Sequence, residues 1–199
     1  MPNLKDIKSR ISSVQNTKKI TKAMKMVAAA KVKKAENTVK AARPFSDELL
    51  HLFRKMLATV GEYSVAGLHV QRALDNYPEL LEKRDIKTEG LLVITSNKGL
   101  AGAYNSNIIK TAIARIRANK ERGVNTVIYP VGQKAVSAFK HAGKYFELKE
   151  GYISIANDPT ATGANIIAED IAEDFVSGHI DKIDIITTHF NNMMSYNVV

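Results

Sequence analysis

The segment that most constrains this fold is the run from Lys18 to Lys34, which reads KKITKAMKMVAAAKVKK. It contains seven lysines, three consecutive alanines and two methionines, and it lacks glycine, proline, aspartate and glutamate. Such a composition strongly favours an α-helix. The charge of that helix is entirely positive, and small apolar residues lie on nearly every side of it. We therefore expect an acidic or anionic partner to enclose it.

The positive charge of the chain is concentrated at its N-terminal end. Residues 1–60 contain 14 Lys and Arg against 4 Asp and Glu, whereas the other residues contain 15 against 16, and the whole chain has a net charge of +9. A nucleic acid, an anionic membrane surface or an acidic protein surface fits a basic element of this kind. Arg10 is the only arginine among residues 1–42, which disfavours a nucleic acid, because arginine and asparagine are the usual readers of base edges.

Residues 3 to about 60 predict one long helix, or two helices joined at Pro44. Asn3 is the expected N-cap and Gly61 the expected stop. A continuous helix would be roughly 85 Å long at about 1.5 Å per residue. The 3-4 spacing of a coiled coil runs along it, and we call these positions the seam. The seam comprises Leu4, Ile7, Ile11, Val14, Lys18, Thr21, Lys25, Ala28, Val32, Ala35, Val39 and Ala42.

The predicted helix has two further stripes besides the seam. The apolar stripe comprises Ile20, Met24 and Val27, and the basic stripe comprises Lys18, Lys22 and Lys25. Apolar surface on two sides indicates that more than one neighbour contacts this helix. The first turns of the seam, from Leu4 to Val14, should therefore stay exposed in a chain that lacks those neighbours.

Residues 90–199 alternate between apolar runs and amphipathic segments, which predicts parallel βαβ units. The predicted strands are Leu91–Thr95, Thr126–Val131, Tyr145–Leu148 and Ile183–Phe190, and the predicted helices are Asn105–Asn119, Gln133–His141 and Ala164–Val176. The predicted fold class is α/β, with a long N-terminal coiled-coil helix plus a Rossmann-like α/β domain that has a mostly parallel sheet. The predicted divisions are a shaft helix at 1–60, a connector at 61–89 and the α/β domain at 90–199.

The loop after the first predicted strand reads SNKGLAGAYN and is the best candidate for a ligand-binding motif. A glycine-rich turn between a strand and a helix can hold a phosphate on its backbone N–H groups. The spacing of Gly99 and Gly102 matches neither the dinucleotide fingerprint nor a P-loop. The loop is therefore predicted to be a tight turn in which Asn105 or Ser106 caps the next helix.

No other segment predicts catalysis, and no catalytic, cofactor-binding or metal-binding residue is assigned. The five histidines do not lie at metal-ligand spacing from one another. Four acidic residues form two pairs on one predicted helix, and we interpret them as a solvated face rather than a catalytic dyad. They are Glu169, Asp170, Glu173 and Asp174.

Two segments resemble the gamma subunit of the F-type, proton-transporting ATP synthase. They are Leu4–Glu36 and Thr95–Ile108, the second of which reads TSNKGLAGAYNSNI. The resemblance implies a non-catalytic central-stalk rotor without a cofactor, which couples proton translocation to ATP synthesis at the alpha/beta hexamer. It implies that the N-terminal helix pairs antiparallel with a long C-terminal helix. Since the family continues beyond the position of Val199, we expect a fragment or a truncated gene product.

The resemblance also assigns roles to individual residues. The shaft residues that would bind the hexamer are Lys18, Lys19, Lys22, Met24, Lys25, Met26, Ala28, Ala29 and Ala30. The coiled-coil contacts would be Leu4, Ile7, Ile11, Val14, Thr21, Val32, Ala35 and Val39. The signature loop would comprise Asn97, Lys98, Gly99, Gly102, Tyr104 and Asn105. The family commonly has Asp where Asn97 stands and often Cys where Ala101 stands.

The partners implied by the resemblance are the alpha, beta, epsilon and delta subunits and the membrane c-ring, with no nucleic acid and no direct membrane insertion. The implied location is peripheral, on the cytoplasmic side of the bacterial plasma (inner) membrane. Two alternatives remain open at this point. One is a basic coiled-coil nucleic-acid-binding protein, and the other is a small-molecule enzyme that uses the Gly99–Gly102 loop as a phosphate site.

Overall fold

The computed structural model describes residues 3–63, 80, 84–142, 145–157, 159–192 and 195–199, with the side chains of residues 56–63 left aside. The chain divides into two compact units, Met1–Asn76 and Tyr77–Val199. Most of the predicted connector, residues 61–89, lies outside the described residues.

The described residues of the first unit form one helix, α1, which extends over Leu4–Tyr63. Its 60 residues correspond to a length of about 90 Å. The helix continues through Pro44, which supplies no N–H to the carbonyl one turn earlier. It also continues through Gly61, so the predicted stop was wrong. A single glycine costs only about 1 kcal/mol relative to alanine inside a helix, which is too little to end a long helix by itself.

Backbone and carboxylate contacts fix the start of α1 at Asn3. The Asn3 carbonyl accepts the N–H groups of Asp6 at 2.9 Å and Ile7 at 3.2 Å. The Asn3 N–H in turn donates to Oδ2 of Asp6 at 3.3 Å. A carboxylate in the first turn also lies at the favourable end of the helix dipole. Asn3 therefore occupies the predicted cap position, and the side-chain contact comes from Asp6.

The described side chains of α1 are exposed up to residue 55, apart from the half-buried Val32 and Glu36. The exposed fraction is 69% for Leu4, 53% for Ile11 and 67% for Val14. The expectation that the first turns of the seam lack a partner within this chain is confirmed. Packing by its own unit therefore does not account for the apolar pattern of α1.

The second unit is an α/β domain with three helices and six strands among its described residues. The elements are β1 Thr88–Ile94, α2 Tyr104–Glu121, β2 Asn125–Val131, α3 Gln133–Lys140, β3 Glu147–Leu148, α4 Ala161–Val176, β4 Lys182–Ile186, β5 Thr188–Asn192 and β6 Ser195–Val198. Four strands pair in parallel in the order β3-β2-β1-β4. The predicted α/β class with a mostly parallel sheet is confirmed.

Both faces of this sheet are buried, which explains why β1 and β2 are nearly continuous apolar runs. One face carries α2 and α3, and its core comprises Leu91, Val93, Ile108, Ala112, Ile116, Ile128, Ala135, Phe139 and Ile186. The other face carries α4, and its core comprises Leu92, Val127, Tyr129, Val131, Ile167, Phe175 and Ile180. Alternate residues of each strand point to opposite faces, so both core clusters follow directly from the sequence of the strands.

The predicted strand Ile183–Phe190 was wrong, because this segment forms two strands in different sheets. β4 ends at Ile186 and belongs to the parallel sheet, whereas β5 pairs antiparallel with β6. Thr187 lies between them and exchanges two backbone hydrogen bonds with Val199, both of 2.9 Å. Thr187 is thus paired with the residue that follows β6, and β4 does not extend further along β1. The β-forming residues of this segment carry no signal for such an exchange.

A buried ionic cluster joins β1, α2 and β4 at the edge of the sheet. Glu89 is only 1% exposed, and its carboxylate accepts hydrogen bonds from Arg115 at 2.6 and 3.0 Å and from Lys182 at 3.2 Å. Asp184 binds the same two cations. Burial by itself would raise the pKa of Glu89, but the hydrogen bonds from Arg115, Asn119 and Lys182 outweigh it and lower the pKa to about 2.

Candidate partner-binding surface

The lysines of the central part of α1 have no acidic neighbour on their own helix. No Asp or Glu occurs between Asp6 and Glu36, so Lys18, Lys22 and Lys25 have no acidic side chain three or four positions away. Within the described part of the chain, these three lysines form no salt bridge. Their charge is therefore available to a partner.

Glu36 marks the C-terminal limit of this uncompensated region. Its carboxylate contacts Lys40 at 2.8 Å and Lys33 at 3.6 Å. The hydrogen bond from Lys40, together with the charge of Lys33, lowers the pKa of Glu36 below its usual value. Glu36 therefore compensates the lysines that follow position 32, and the excess of positive charge lies before it.

The residues assigned to hexamer binding do not share one face of α1. At about 100° per residue, they extend around roughly 240° of the helix circumference, from Met24 at one limit to Ala30 at the other. Lys18, Lys22 and Lys25 lie together near the middle of this range. Met24 is 50% exposed and Met26 is 60% exposed. A flat surface covers at most half of a helix, so this set fits a concave partner or several partners.

The seam changes character along α1. Large apolar side chains occupy it up to Val14, and lysine, threonine, alanine and valine side chains occupy it from Lys18 to Ala42. The hydroxyl of Thr21 donates to the carbonyl oxygens of Thr17 at 2.9 Å and Lys18 at 3.1 Å. Because that hydroxyl is satisfied inside the helix, Thr21 needs no polar partner. The central seam therefore allows a neighbouring helix to approach closely.

The second assigned region is the signature loop between β1 and α2, and its polar side chains bind other parts of the α/β domain. Oδ1 of Asn97 accepts the N–H of Gln133 at 2.7 Å, and its Nδ2 donates to the carbonyl of Ile153 at 2.7 Å. Oδ1 of Asn105 accepts the N–H of Ser96 at 3.0 Å. Asn97 thus joins the loop to the first turn of α3 and to the segment after β3.

Neither of the two predicted residues caps α2. Ala103 holds the N-cap position without a side-chain hydrogen bond. Asn105 bonds back to Ser96, and the hydroxyl of Ser106 donates to the carbonyl of Ala103 at 3.0 Å. The sequence contained the correct residue types for a cap, but the loop folds back and uses them for its own closure.

The apex of the loop projects into solvent. Leu100 is 97% exposed and has a φ of 58°, a region that bulky residues rarely adopt. Gly102 has a φ of 55°, where the lack of a side chain relieves strain. Lys98 and Gly99 beside them are exposed. Tyr104 anchors the C-terminal end of the loop by packing edge-to-face on Tyr196 at 5.6 Å. Sequence reasoning did not single out Leu100, since nothing in its type signals a positive φ.

The hydrogen bonds of this loop close the N-terminus of α3. Residues of the loop, together with Thr95 directly after β1, accept hydrogen bonds from the first N–H groups of α3. Gln133 donates to Asn97, Lys134 to the carbonyl of Ser96 at 3.2 Å, and Ala135 to the hydroxyl of Thr95 at 2.9 Å. A cavity of about 770 Å³ lies at the opposite, N-terminal ends of the strands, and the Gly99–Gly102 loop does not line it.

Two of the four acidic residues on α4 are not simply solvated, which corrects their interpretation. The phenol of Tyr152 donates to Asp170 at 2.6 Å, and the buried phenol of Tyr129 donates to Asp174 at 2.6 Å. Burial and these bonds raise the pKa of both phenols. Asp174 also accepts from Lys149. Two acids therefore tie α4 to the sheet.

Among the residues that the structure describes, no group of three or more His, Asp or Glu side chains lies close enough together to hold a metal ion. None of the helices in the described ranges combines the length and the apolar character needed to cross a membrane.

Comparisons with known proteins agree with one another. A family model described as ATP synthase matches residues 3–199. The ATP synthase gamma chains of Crocosphaera subtropica and Picosynechococcus sp. are 39% and 40% identical to this chain. Each alignment covers 98% of this chain and 58% of the relative, so the chain spans little more than half the length of these curated relatives.

A solved structure gives the same result. It is the cryo-electron microscopy structure of the central stalk and c-ring of the Tetrahymena thermophila mitochondrial ATP synthase. One of its chains matches with a TM-score of 0.59 and 26% identity, and the match covers 90% of this chain and 70% of that one.

Proposed function

Because this chain belongs to the ATP synthase gamma family, we propose that it acts as the central-stalk rotor subunit of an F-type ATP synthase. In that role it couples proton translocation to ATP synthesis at the alpha/beta hexamer and carries no catalytic residue itself. The observation that carries this proposal is the exposed cationic region of α1, in which Lys18, Lys22 and Lys25 have no acidic neighbour on their helix.

The physical properties of α1 suit a turning shaft. A helix of 60 residues transmits force along its length because each turn is hydrogen-bonded to the next. Lysine acts as a mobile point charge without the fixed fork geometry of arginine. Contacts between lysines and acidic beta-subunit loops can therefore be exchanged as the shaft turns. The small side chains of Ala28, Ala29 and Ala30 leave clearance on the same segment.

The partners follow from this role. We assign Lys18, Lys19, Lys22, Met24, Lys25, Met26 and the three alanines to contacts with the alpha and beta subunits. The seam is assigned to a partner helix. The α/β domain is assigned to the epsilon subunit and the c-ring, and the delta subunit is a further partner in the same complex. The location that goes with these partners is peripheral, on the cytoplasmic face of a bacterial inner membrane.

The signature loop is assigned a structural role in this proposal. Asn97 and Asn105 hold it in place through four hydrogen bonds of 2.7–3.1 Å. Gly102 allows its turn, and Lys98 and Gly99 lie at its exposed apex. No observation favours the nucleic-acid alternative or the phosphate-site alternative.

The test is binding to an assembled alpha/beta hexamer. We compare the chain with the double variant K22Q/K25Q and with the matched control K110Q/K140Q, which removes two exposed lysines of the α/β domain. Exposed ion pairs contribute about 0.2–1 kcal/mol each. The first variant should therefore bind about 2-fold to 30-fold more weakly, and the control should bind like the parent.

Two results would contradict the proposal. One is a chain that never associates with alpha and beta subunits at any ionic strength. The other is an equal loss of affinity in both double variants, since that would trace binding to total charge and not to the central part of α1.

A further inference from the structure

The chain leads into β1 through residues 84–88, which we call the entry segment. Its last residue, Thr88, is also the first residue of β1. β1 lies inside the parallel sheet, between β2 and β4. The chain at the edge of a domain is usually poorly ordered unless other contacts hold it. The entry segment is held by side-chain and backbone contacts to three other parts of the α/β domain.

The first contact joins Arg84 to the C-terminal end of α4. Nη1 of Arg84 donates to the carbonyl oxygen of Phe175 at 2.6 Å, and its guanidinium lies 4.5 Å from the centroid of the Phe175 ring. Phe175 is itself part of the core between α4 and the sheet. The last carbonyl groups of a helix carry partial negative charge, which a cation stabilises. One side chain therefore binds the entry segment to both the backbone and the core of α4.

The second contact is made by Asp181, the residue before β4. Its Oδ2 accepts the N–H groups of Lys87 at 2.8 Å and Thr88 at 2.9 Å. The N–H of Asp181 donates in return to the carbonyl of Thr88 at 2.9 Å. Burial by itself would raise the pKa of Asp181, but the two hydrogen bonds to it and the positive charge of Arg84 lower it. The carboxylate is therefore charged at neutral pH.

The third contact is a backbone hydrogen bond to the start of β2. The N–H of Asn125 donates to the carbonyl of Lys87 at 2.8 Å. Directly after the entry segment, the buried carboxylate of Glu89 binds Arg115 and Lys182. The chain is thus held at consecutive positions by α4, by the residue before β4, by β2 and by α2.

We propose that Arg84 and Asp181 anchor the entry segment against mechanical load, so that force from the preceding chain reaches the whole α/β domain without detaching β1. By the order of the chain, such a force acts on residue 84 before it reaches any strand. Arg84 passes part of the load to α4, and Asp181 passes part of it to the start of β4. This inference rests on the proposed function only for the source of the force, which is the turning shaft.

Single-molecule pulling on the full chain tests this anchor, because the chain contains no cysteine and handles can be attached at chosen positions. The pair H51C/K140C applies force through the entry segment, whereas the pair K98C/K140C loads the α/β domain and bypasses it. All three positions are exposed. The comparison of the two pairs separates an anchor from a residue that stabilises the fold in general.

R84Q should raise the unfolding rate at a given force about 10-fold when the force passes through the entry segment, which is the effect of one lost hydrogen bond from a charged group. The increase should be much smaller when the segment is bypassed. The matched control R117Q removes an exposed arginine of α2 and should change neither rate.

Two conservative variants show whether the contacts themselves carry the load. R84K keeps a donor for the carbonyl of Phe175 but loses the planar group that lies over its ring, so it should restore part of the resistance. D181N keeps an acceptor and removes the charge, so it should give a smaller increase than R84Q in the same pulling geometry.

Equal acceleration in the two pulling geometries would overturn the proposal, because Arg84 would then stabilise the fold as a whole. No acceleration in either geometry would also overturn it. The measurement uses the free chain, so it is separate from the test of the proposed function. A chain that did not bind the hexamer would contradict the rotor role and leave the pulling result unchanged.

Discussion

The α/β domain and α1 use apolar residues in opposite ways. In the α/β domain the apolar residues of β1 and β2 are covered on both faces, and the described polar side chains inside it are hydrogen-bonded. In α1 the apolar residues recur just as regularly, but nearly all of them are exposed. A regular apolar pattern therefore indicates a partner, and burial decides whether that partner belongs to the same chain.

The largest difference should appear when an aromatic side chain is removed from each region. Phe139 is 1% exposed, and F139A should destabilise the α/β domain by about 3–5 kcal/mol because it leaves a cavity in the core. Phe45 on α1 is 73% exposed, and F45A should change stability by less than about 0.5 kcal/mol. Urea unfolding followed by near-ultraviolet circular dichroism measures both. Equal losses would mean that α1 is packed within the free chain.

The next effect concerns two carboxylates, the buried one of Glu89 in the α/β domain and the half-buried one of Glu36 on α1. E89Q should cost about 3–5 kcal/mol in the free energy of unfolding, because it leaves Arg115 and Lys182 without their buried partner. E36Q removes a half-buried carboxylate of α1 whose partners, Lys33 and Lys40, are exposed, so it should change stability little. Chemical denaturation at neutral pH provides the measurement. A small loss in E89Q would show that water enters the cluster.

The same carboxylate predicts a specific acid response. The pKa of Glu89 is lowered from 4.5 to about 2 in the folded chain. Its contribution is therefore fully present above pH 4.5 and is lost as the pH falls towards 2. Between pH 4.5 and 2, the free energy of unfolding should fall more steeply for the parent chain than for E89Q. The two free energies should become equal near pH 2. If the free energies of the two chains fell in parallel with pH, the lowered pKa of Glu89 would be refuted.

A smaller effect is expected in the signature loop. N97A removes the acceptor for the N–H of Gln133 and the donor to Ile153, and it should cost about 1–2 kcal/mol. N97D keeps the acceptor and places a negative charge at the N-terminus of α3, so its cost should be about half as large. S106A, at an exposed site, is the control and should be nearly neutral. A neutral N97A would show that the loop is held by its backbone alone.

The smallest effect on stability is expected for the lysines of α1. K22Q and K25Q should each change the free energy of unfolding by less than about 0.5 kcal/mol, since neither lysine has an acidic partner within reach on its helix. Thermal unfolding of the free chain measures this. A clear loss in either variant would mean that these lysines have a structural role within the chain and are not reserved for a partner.

The sequence was sufficient where one local signal decides the structure. Helix-forming residues predicted α1, apart from its continuation through Pro44 and Gly61, and the apolar runs of β1 and β2 predicted a buried parallel sheet. The sequence did not predict the structure correctly where residues far apart in the chain bind the same backbone groups. The pairing of Thr187 with Val199 splits the last predicted strand, and the bond from Ser96 to Asn105 replaces a helix cap. Neither contact leaves a periodic trace in the sequence.

The residues of the candidate surface also divide into those that the sequence predicted and those that it did not. The charge, spacing and small residues of Lys18–Ala30 are properties of a single helix and were readable directly. The positive φ of Leu100 and the bridge made by Asn97 depend on how the loop closes over α3 and the segment after β3. The structural roles of Leu100 and Asn97 could be identified only from the folded structure.

The central claim is that the middle of α1 is completed by other polypeptides. Hydrogen exchange of the full chain, free and bound to an assembled alpha/beta hexamer, tests it most directly. We predict that the amides of residues 18–30 exchange rapidly in the free chain and become strongly protected in the complex, while those of β1 and β2 are protected in both. Slow exchange of residues 18–30 in the free chain, or no change on adding the hexamer, would contradict the account.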